Sequence, residues 1–91
     1  MYLEIVSPEA TLFSGDVTSV AVPGVNGEFE MLNSHAPIVS ILKAGQVKIS
    51  GNISLEEEVA DKFTTENGKT MLAINSGTLE INDNKIIILA D

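Results

Sequence analysis

The stretch VTSVAVPGVNGEFEML, residues 17–32, has the pattern of two strands joined by a turn. Its first part is rich in β-branched residues, which favour strands, and it ends at Pro23. Asn26 and Gly27 suit the positive φ of a tight hairpin turn, and residues 28–32 follow as a short strand. This segment predicts an antiparallel hairpin.

Further short strands lie on both sides of this hairpin. Asn67-Gly68 and Asp83-Asn84 predict two more tight turns. Strands are predicted over residues 2–6, 11–15, 37–42, 46–49, 70–74, 78–81 and 85–89. Short strands separated by turns at this spacing predict an all-β fold, a sandwich or flattened barrel, in a single domain over residues 1–91.

One segment favours helix over strand. Ser54 and Glu57 have the spacing of a capping box. Leu55, Val59 and Phe63 recur every four residues, as on one face of a helix. We therefore expect a short helical insert near residues 54–63.

The composition excludes several classes of function. The 91 residues include 13 acidic side chains and five basic ones, all lysine, so the formal net charge is −8. Because a nucleic-acid binder needs a basic surface, this charge argues against nucleic acid and is compatible with a basic protein partner. There is no cysteine, hence no disulfide or thiolate chemistry. No apolar run approaches the roughly 18 residues of a membrane span, and no signal-peptide pattern opens the chain, so we expect no membrane insertion.

The residues with catalytic potential do not combine into a site. His35 is the single histidine, and Ser34 lacks the strand–turn–helix setting that activates a serine. The three consecutive glutamates at 56–58 point in different directions on a helix and lack the spacing of a calcium loop. The scattered glycines form no phosphate-binding loop. We expect a protein that is not an enzyme, holds no metal or cofactor and does not bind ATP tightly.

An alternative function rests on Lys62. Residues 58–63 resemble the lysine-bearing hairpin of lipoyl and biotinyl carrier domains, which are also small acidic β-sandwiches. In those carriers the modified lysine lies at the tip of a tight turn between two strands. Lys62 instead falls inside the helix-like segment.

A second resemblance covers most of the chain. Residues 27–37, GEFEMLNSHAP, resemble the Gly-Glu-x-Gly…His-Ala-Pro stretch of ATP synthase epsilon subunits. Residues 6–9 and 12–17 resemble that family's opening strands, and residues 22–24 its next turn. Residues 38–45, 76–81 and 88–91 resemble its later strands. Only about residues 50–69 lie outside the resemblance. Glu30 stands where many members have glycine, and residues 76–78 have one glycine fewer than the usual Ser-Gly-Gly.

The resemblance implies a ten-stranded β-sandwich and a mechanical function. Such subunits belong to the central stalk of the F-type ATP synthase, where they link the γ subunit to the c-ring and couple proton flow to ATP synthesis. It implies a peripheral protein on the cytoplasmic face of the bacterial inner membrane. It also implies a short form, without the pair of C-terminal helices of longer members.

The resemblance further assigns residues to two surfaces. One surface faces the polar loops of the c-ring, where the position of Glu28 meets a basic loop. Its residues are Val25, Asn26, Gly27, Glu28, Phe29 and Met31. The other surface faces γ and contains Ser7, His35 and Ser40.

Overall fold

The protein is an all-β domain in which the expected ten strands are present. The computed structural model describes residues 1–32 and 36–91. The strands are β1 (Tyr2–Val6), β2 (Thr11–Asp16), β3 (Ser19–Gly24), β4 (Gly27–Met31), β5 (Ile38–Leu42), β6 (Gly45–Ser50), β7 (Phe63–Glu66), β8 (Lys69–Ile74), β9 (Gly77–Asn82) and β10 (Lys85–Ala90). The predicted strands are confirmed, and β7 is an additional one.

The strands hydrogen-bond in the order β2-β1-β10-β9-β5-β3-β6-β8-β7, and β4 is added to β3. The pairing of β1 with β10 is parallel, while the other pairings are antiparallel. A single residue pair, Gly24 with Leu42, joins β3 to β5. Hydrogen bonding between β3 and β5 is therefore minimal, and the sheet folds there into two layers of five strands each. One layer contains β2, β1, β10, β9 and β5, and the other contains β3, β4, β6, β8 and β7.

The core lies between these layers because apolar and polar residues alternate along the strands. On β10, Ile86, Ile88 and Ala90 are buried, and their neighbours on β1 are the buried Leu3 and Ile5. The other layer contributes buried side chains from β3, β4, β6 and β8 to the same cluster: Val20, Val22, Met31, Val47, Ile49, Leu72 and Ile74.

Two of the three predicted turns have the backbone that their sequence requires. Asn67 has a φ of 53° and Gly68 a φ of 77° between β7 and β8. Asp83 and Asn84, at 52° and 62°, connect β9 to β10. The third turn is shifted by one residue, because Gly27 already pairs with Gly24 as the first residue of β4. Gly27 has a φ of 123° there.

The helix predicted near residues 54–63 does not form, which corrects that expectation. The described structure has only a 3-10 turn at Ala60–Lys62, preceded by irregular backbone. The apolar repeat is instead used in packing, since Val59 and Phe63 are each 7% exposed. A helix of about eight residues is marginal unless tertiary packing supports it. Phe63 pairs with Leu72 as the start of β7, so strand pairing prevails over the helical pattern.

We expect Gly77→Ala to destabilise the domain by about 1–3 kcal/mol. A methyl group at residue 77 would lie 2.5 Å from the carbonyl oxygen of Leu89, which is backbone on the adjacent strand. Thermal unfolding measures the effect, and about 1 kcal/mol corresponds to roughly 4–8 °C for a domain of this size. The control is Thr78→Ala at the neighbouring exposed position; equal melting temperatures for the two variants would contradict this packing argument.

Candidate docking surfaces

The hairpin between β3 and β4 projects a small cluster of side chains. We call residues 24–29 the tip hairpin. Val25 is 52% exposed, whereas the Phe29 ring lies over Gly24, where an added methyl group would come within 2.8 Å of the ring. The Val25 amide donates to the Ile41 carbonyl (3.3 Å) and the Lys43 amide donates to the Pro23 carbonyl (2.8 Å). These bonds anchor the tip hairpin to β5.

Most of the residues predicted to face a membrane ring lie together on the tip hairpin. They line a shallow depression of about 300 Å³ with Gly24 and Ser40: Val25, Asn26, Gly27, Glu28 and Phe29. Met31 differs from them, because its side chain is 0% exposed and packs in the core. Met31 supports the hairpin from inside and offers no side-chain surface to a partner.

Glu28 takes part in an ion pair that the sequence did not predict. Its Oε1 lies 3.1 Å from Nζ of Lys48, and the two side chains are 52% and 35% exposed. Glu28 pairs in register with Pro23, and Lys48 pairs with Ala21. The ion pair therefore crosses diagonally over the outer face of β3.

The residues predicted to face a second partner do not form one cluster in the described structure. Ser40 lies on β5 beside the tip hairpin. Ser7 lies in the turn after β1, where its amide donates to the Ala10 carbonyl. β1 and β5 are three strand spacings apart, roughly 14 Å. His35, the third predicted residue, and Ser34 lie outside the described residues.

A second exposed surface covers the outer side of the layer that contains β1, β10, β9 and β5. Val39 is 77% exposed, Ile41 63% and Leu89 52%. Register places Ile41, Thr78, Leu89 and Val6 in one row across the four strands. We call this surface the apolar face: Val6, Val39, Ile41, Ile87 and Leu89, with Glu4, Thr78 and Glu80 among them.

Sequence reasoning missed the apolar face, although its signal is present. A strand with one solvated face alternates apolar and polar residues, but β5 reads IVSIL and β10 reads KIIILA. On β10, Ile87 and Leu89 face outward in line with Lys85, while Ile86, Ile88 and Ala90 face the core. Because large clusters of exposed apolar side chains are uncommon on monomeric proteins and mark interaction sites, this face is a candidate contact surface.

A groove of about 820 Å³ lies on the outer side of the other layer. Three of the five lysines line it, Lys43, Lys48 and Lys69, over a floor that includes Pro23 and Met71. Glu28 and Glu66 also line the groove and offset part of its positive charge.

The described residues contain no candidate metal site, and Lys62 does not have the setting of a carrier lysine. Within residues 1–32 and 36–91, no three His, Cys, Asp or Glu side chains are placed to hold a metal ion. No helix in this part of the chain is long and apolar enough to cross a membrane. Lys62 ends the 3-10 turn before β7 and is exposed. It therefore does not occupy a hairpin tip, the position that a carrier lysine requires.

Comparison with known proteins identifies relatives over the whole chain. Residues 1–91 match the family model described as the ATP synthase delta/epsilon chain, β-sandwich domain. The ATP synthase epsilon chain of Campylobacter curvus is 40% identical over 91 residues, which cover 100% of this chain and 60% of the relative. The epsilon chain of Chlorobium limicola is 37% identical over 89 residues, covering 98% and 86%. The chain thus spans about three fifths of the length of the Campylobacter relative.

Solved structures share the fold. The mitochondrial ATP synthase central stalk and c-ring of Tetrahymena thermophila contains a chain that superposes with a TM-score of 0.74 at 13% identity, covering 98% of this chain and 61% of that one. A chain of the Euglena gracilis mitochondrial ATP synthase superposes with a TM-score of 0.73 at 20% identity, covering 97% and 48%.

We expect the Glu28–Lys48 ion pair to contribute little to stability. Exposed pairs contribute about 0.2–1 kcal/mol, because water and salt screen them. A double-mutant cycle of Glu28→Gln and Lys48→Met, followed by denaturant unfolding, should give a coupling energy in that range. Glu30→Gln, two residues further along β4, is the control. A coupling energy above about 2 kcal/mol would contradict this and show that the ion pair stabilises the fold substantially.

Proposed function

This chain belongs to the ATP synthase delta/epsilon family of β-sandwich domains, and we propose that it is a non-catalytic subunit of the central stalk that links γ to the c-ring. In this position it couples proton flow to ATP synthesis by fixing the shaft to the ring. The partners in this proposal are the γ subunit and the polar loops of the c-ring. The protein is then peripheral, on the cytoplasmic face of the bacterial inner membrane.

The observation that carries the proposal is the connection of two exposed surfaces by one strand. β5 presents Val39 and Ile41 on the apolar face, and the carbonyl of the same Ile41 accepts the hydrogen bond from Val25 of the tip hairpin. A force applied at one surface is transmitted to the other through backbone hydrogen bonds. A coupling element needs this stiffness, and it needs no catalytic group.

The tip hairpin is the surface that we assign to the c-ring. It is exposed and carries the carboxylate of Glu28, which suits a basic polar loop. Val25 adds an exposed apolar contact beside this charge. The net charge of −8 also favours approach to a basic partner.

The apolar face is the surface that we assign to γ. The assignment rests on the apolar character of this face and not on the positions that the resemblance gives to γ. Ser40 lies between Val39 and Ile41 in sequence, but its side chain is on the opposite side of β5, beside the tip hairpin. Permanent contacts between subunits bury surfaces that are more apolar than the remaining exterior.

Co-purification is the direct test of the proposed function. A tagged copy of the full chain, expressed in its native cell, should retain γ and c-ring after mild detergent extraction, as identified by mass spectrometry. Recovery of a dehydrogenase or carboxylase instead, with lipoyl or biotinyl on Lys62, would establish the carrier alternative. Recovery without any rotor subunit would refute the proposal.

We expect Glu28→Lys to weaken attachment to the ring while the fold remains stable. Reversing the charge replaces an attraction of about 1 kcal/mol by a repulsion of similar size. ATP-driven proton pumping in membrane vesicles, together with the amount of chain retained on the ring, measures the effect. Glu30→Lys has the same change in net charge and serves as the control. Normal pumping and retention by Glu28→Lys would mean that the tip hairpin does not face the ring.

We expect the double variant Val39→Thr, Ile41→Thr to bind γ at least about tenfold more weakly. Threonine keeps the β-branch but removes apolar surface, and burial of a whole Val or Ile side chain contributes about 1.5–3 kcal/mol. Calorimetric titration with purified γ measures the affinity. Val25→Thr on the tip hairpin makes the same type of change and should leave γ binding intact. An unchanged affinity of the double variant would mean that γ does not bind the apolar face.

A further inference from the structure

We propose that Lys48 is a positioning residue that holds the Glu28 carboxylate in place for its basic partner. The inference rests on the proposed function of the tip hairpin and adds a residue to that contact. It starts from the 3.1 Å ion pair between Lys48 Nζ and Glu28 Oε1. Lys48 does not touch the ring in this proposal and acts only through Glu28.

The path of the ion pair over β3 explains how Lys48 can fix a side chain two strands away. Ala21 and Pro23 face outward on β3, yet both are buried. They are short, so the Lys48 stem and the Glu28 side chain can extend across them and meet. Lys48 also has Met71 as its neighbour on β8. Lysine stems pack along apolar surface in this way while the amine remains at the edge.

The geometry leaves room for a partner on the same carboxylate. The Lys48 contact is made by Oε1, and a carboxylate has about four lone-pair sites on its two oxygens. Glu28 remains 52% exposed while paired. A cation from a partner can therefore join Glu28 without displacing Lys48. Since Glu28 has several rotatable bonds, fixing it beforehand removes part of the entropy cost of binding.

Two possible roles of Lys48, positioning Glu28 and adding a positive charge, predict opposite changes in binding affinity when Lys48 is removed. If Lys48 mattered only as a positive charge, removing it would make the chain more acidic and would strengthen binding to a basic partner. If it positions Glu28, its removal weakens binding although the long-range attraction grows. Lys43 and Lys69 line the same groove as Lys48, so they provide matched controls for charge.

The experiment measures binding of the full chain to a purified γ–c-ring rotor from the same organism. We expect Lys48→Met to raise the dissociation constant about two- to fivefold, since an exposed pair contributes at most about 1 kcal/mol. Lys43→Met and Lys69→Met should leave it unchanged or lower it. Lys48→Arg should restore binding, because its guanidinium can also hold a carboxylate. Melting temperatures are measured for each variant, so that a loss of binding is compared among folded proteins.

The same substitution in a Glu28→Gln variant tests whether Lys48 acts through Glu28. In Glu28→Gln, the further change Lys48→Met should no longer weaken binding and should behave like Lys43→Met, since there is no carboxylate left to position. Tighter binding by Lys48→Met, equal to that of Lys43→Met, would overturn the proposal. If Glu28→Gln alone binds the rotor normally, the ring assignment of the tip hairpin fails, which is a separate result from failure of the role of Lys48.

Discussion

Strand β3 pairs with three other strands, and the rest of the fold depends on this arrangement. One of its edges carries β4 over residues 20–24. The other edge changes partner along its length, because residues 19–21 pair with β6 and Gly24 pairs with β5. A strand can serve two layers in this way only where the sheet bends. All six residues of β3 are buried, so the bend lies at the centre of the molecule and fixes the tip hairpin to both layers.

The sequence predicts best those features that depend on a few adjacent residues. Asn67 and the Asp83-Asn84 pair specify positive φ by their own chemistry, and both turns are where expected. The helical pattern of residues 55–63 is also local, but β8 offers Phe63 a strand partner, which no local pattern contains. The Glu28–Lys48 pair depends on the register of β4, β3 and β6, so no spacing in the sequence predicts it. The docking residues were assigned from the family resemblance more than from the residue pattern. Met31 shows the limit of such an assignment, because its side chain is buried.

The outer surfaces of the two layers differ in chemistry. The layer with β5 and β10 presents the apolar face, while the layer with β6 and β8 presents a groove with three lysines. Three of the five lysines thus lie on the side opposite to Val39, Ile41 and Leu89. The two outer surfaces therefore differ in the type of contact that they suit: burial of apolar side chains would dominate on the first, and charge on the second.

The parallel pairing of β1 with β10 has a consequence for biosynthesis. Leu3 lies opposite Ile86, and Ile5 opposite Ile88, so the second strand to flank β1 is made more than 80 residues later. While the ribosome is still producing the middle of the chain, β1 can pair only with β2, and Leu3 and Ile5 lack their partners in the core. Contacts this distant along the chain slow folding. The domain therefore completes its first layer only after residues 85–90 have left the ribosome, and until then the nascent chain exposes the apolar strands that chaperones recognise.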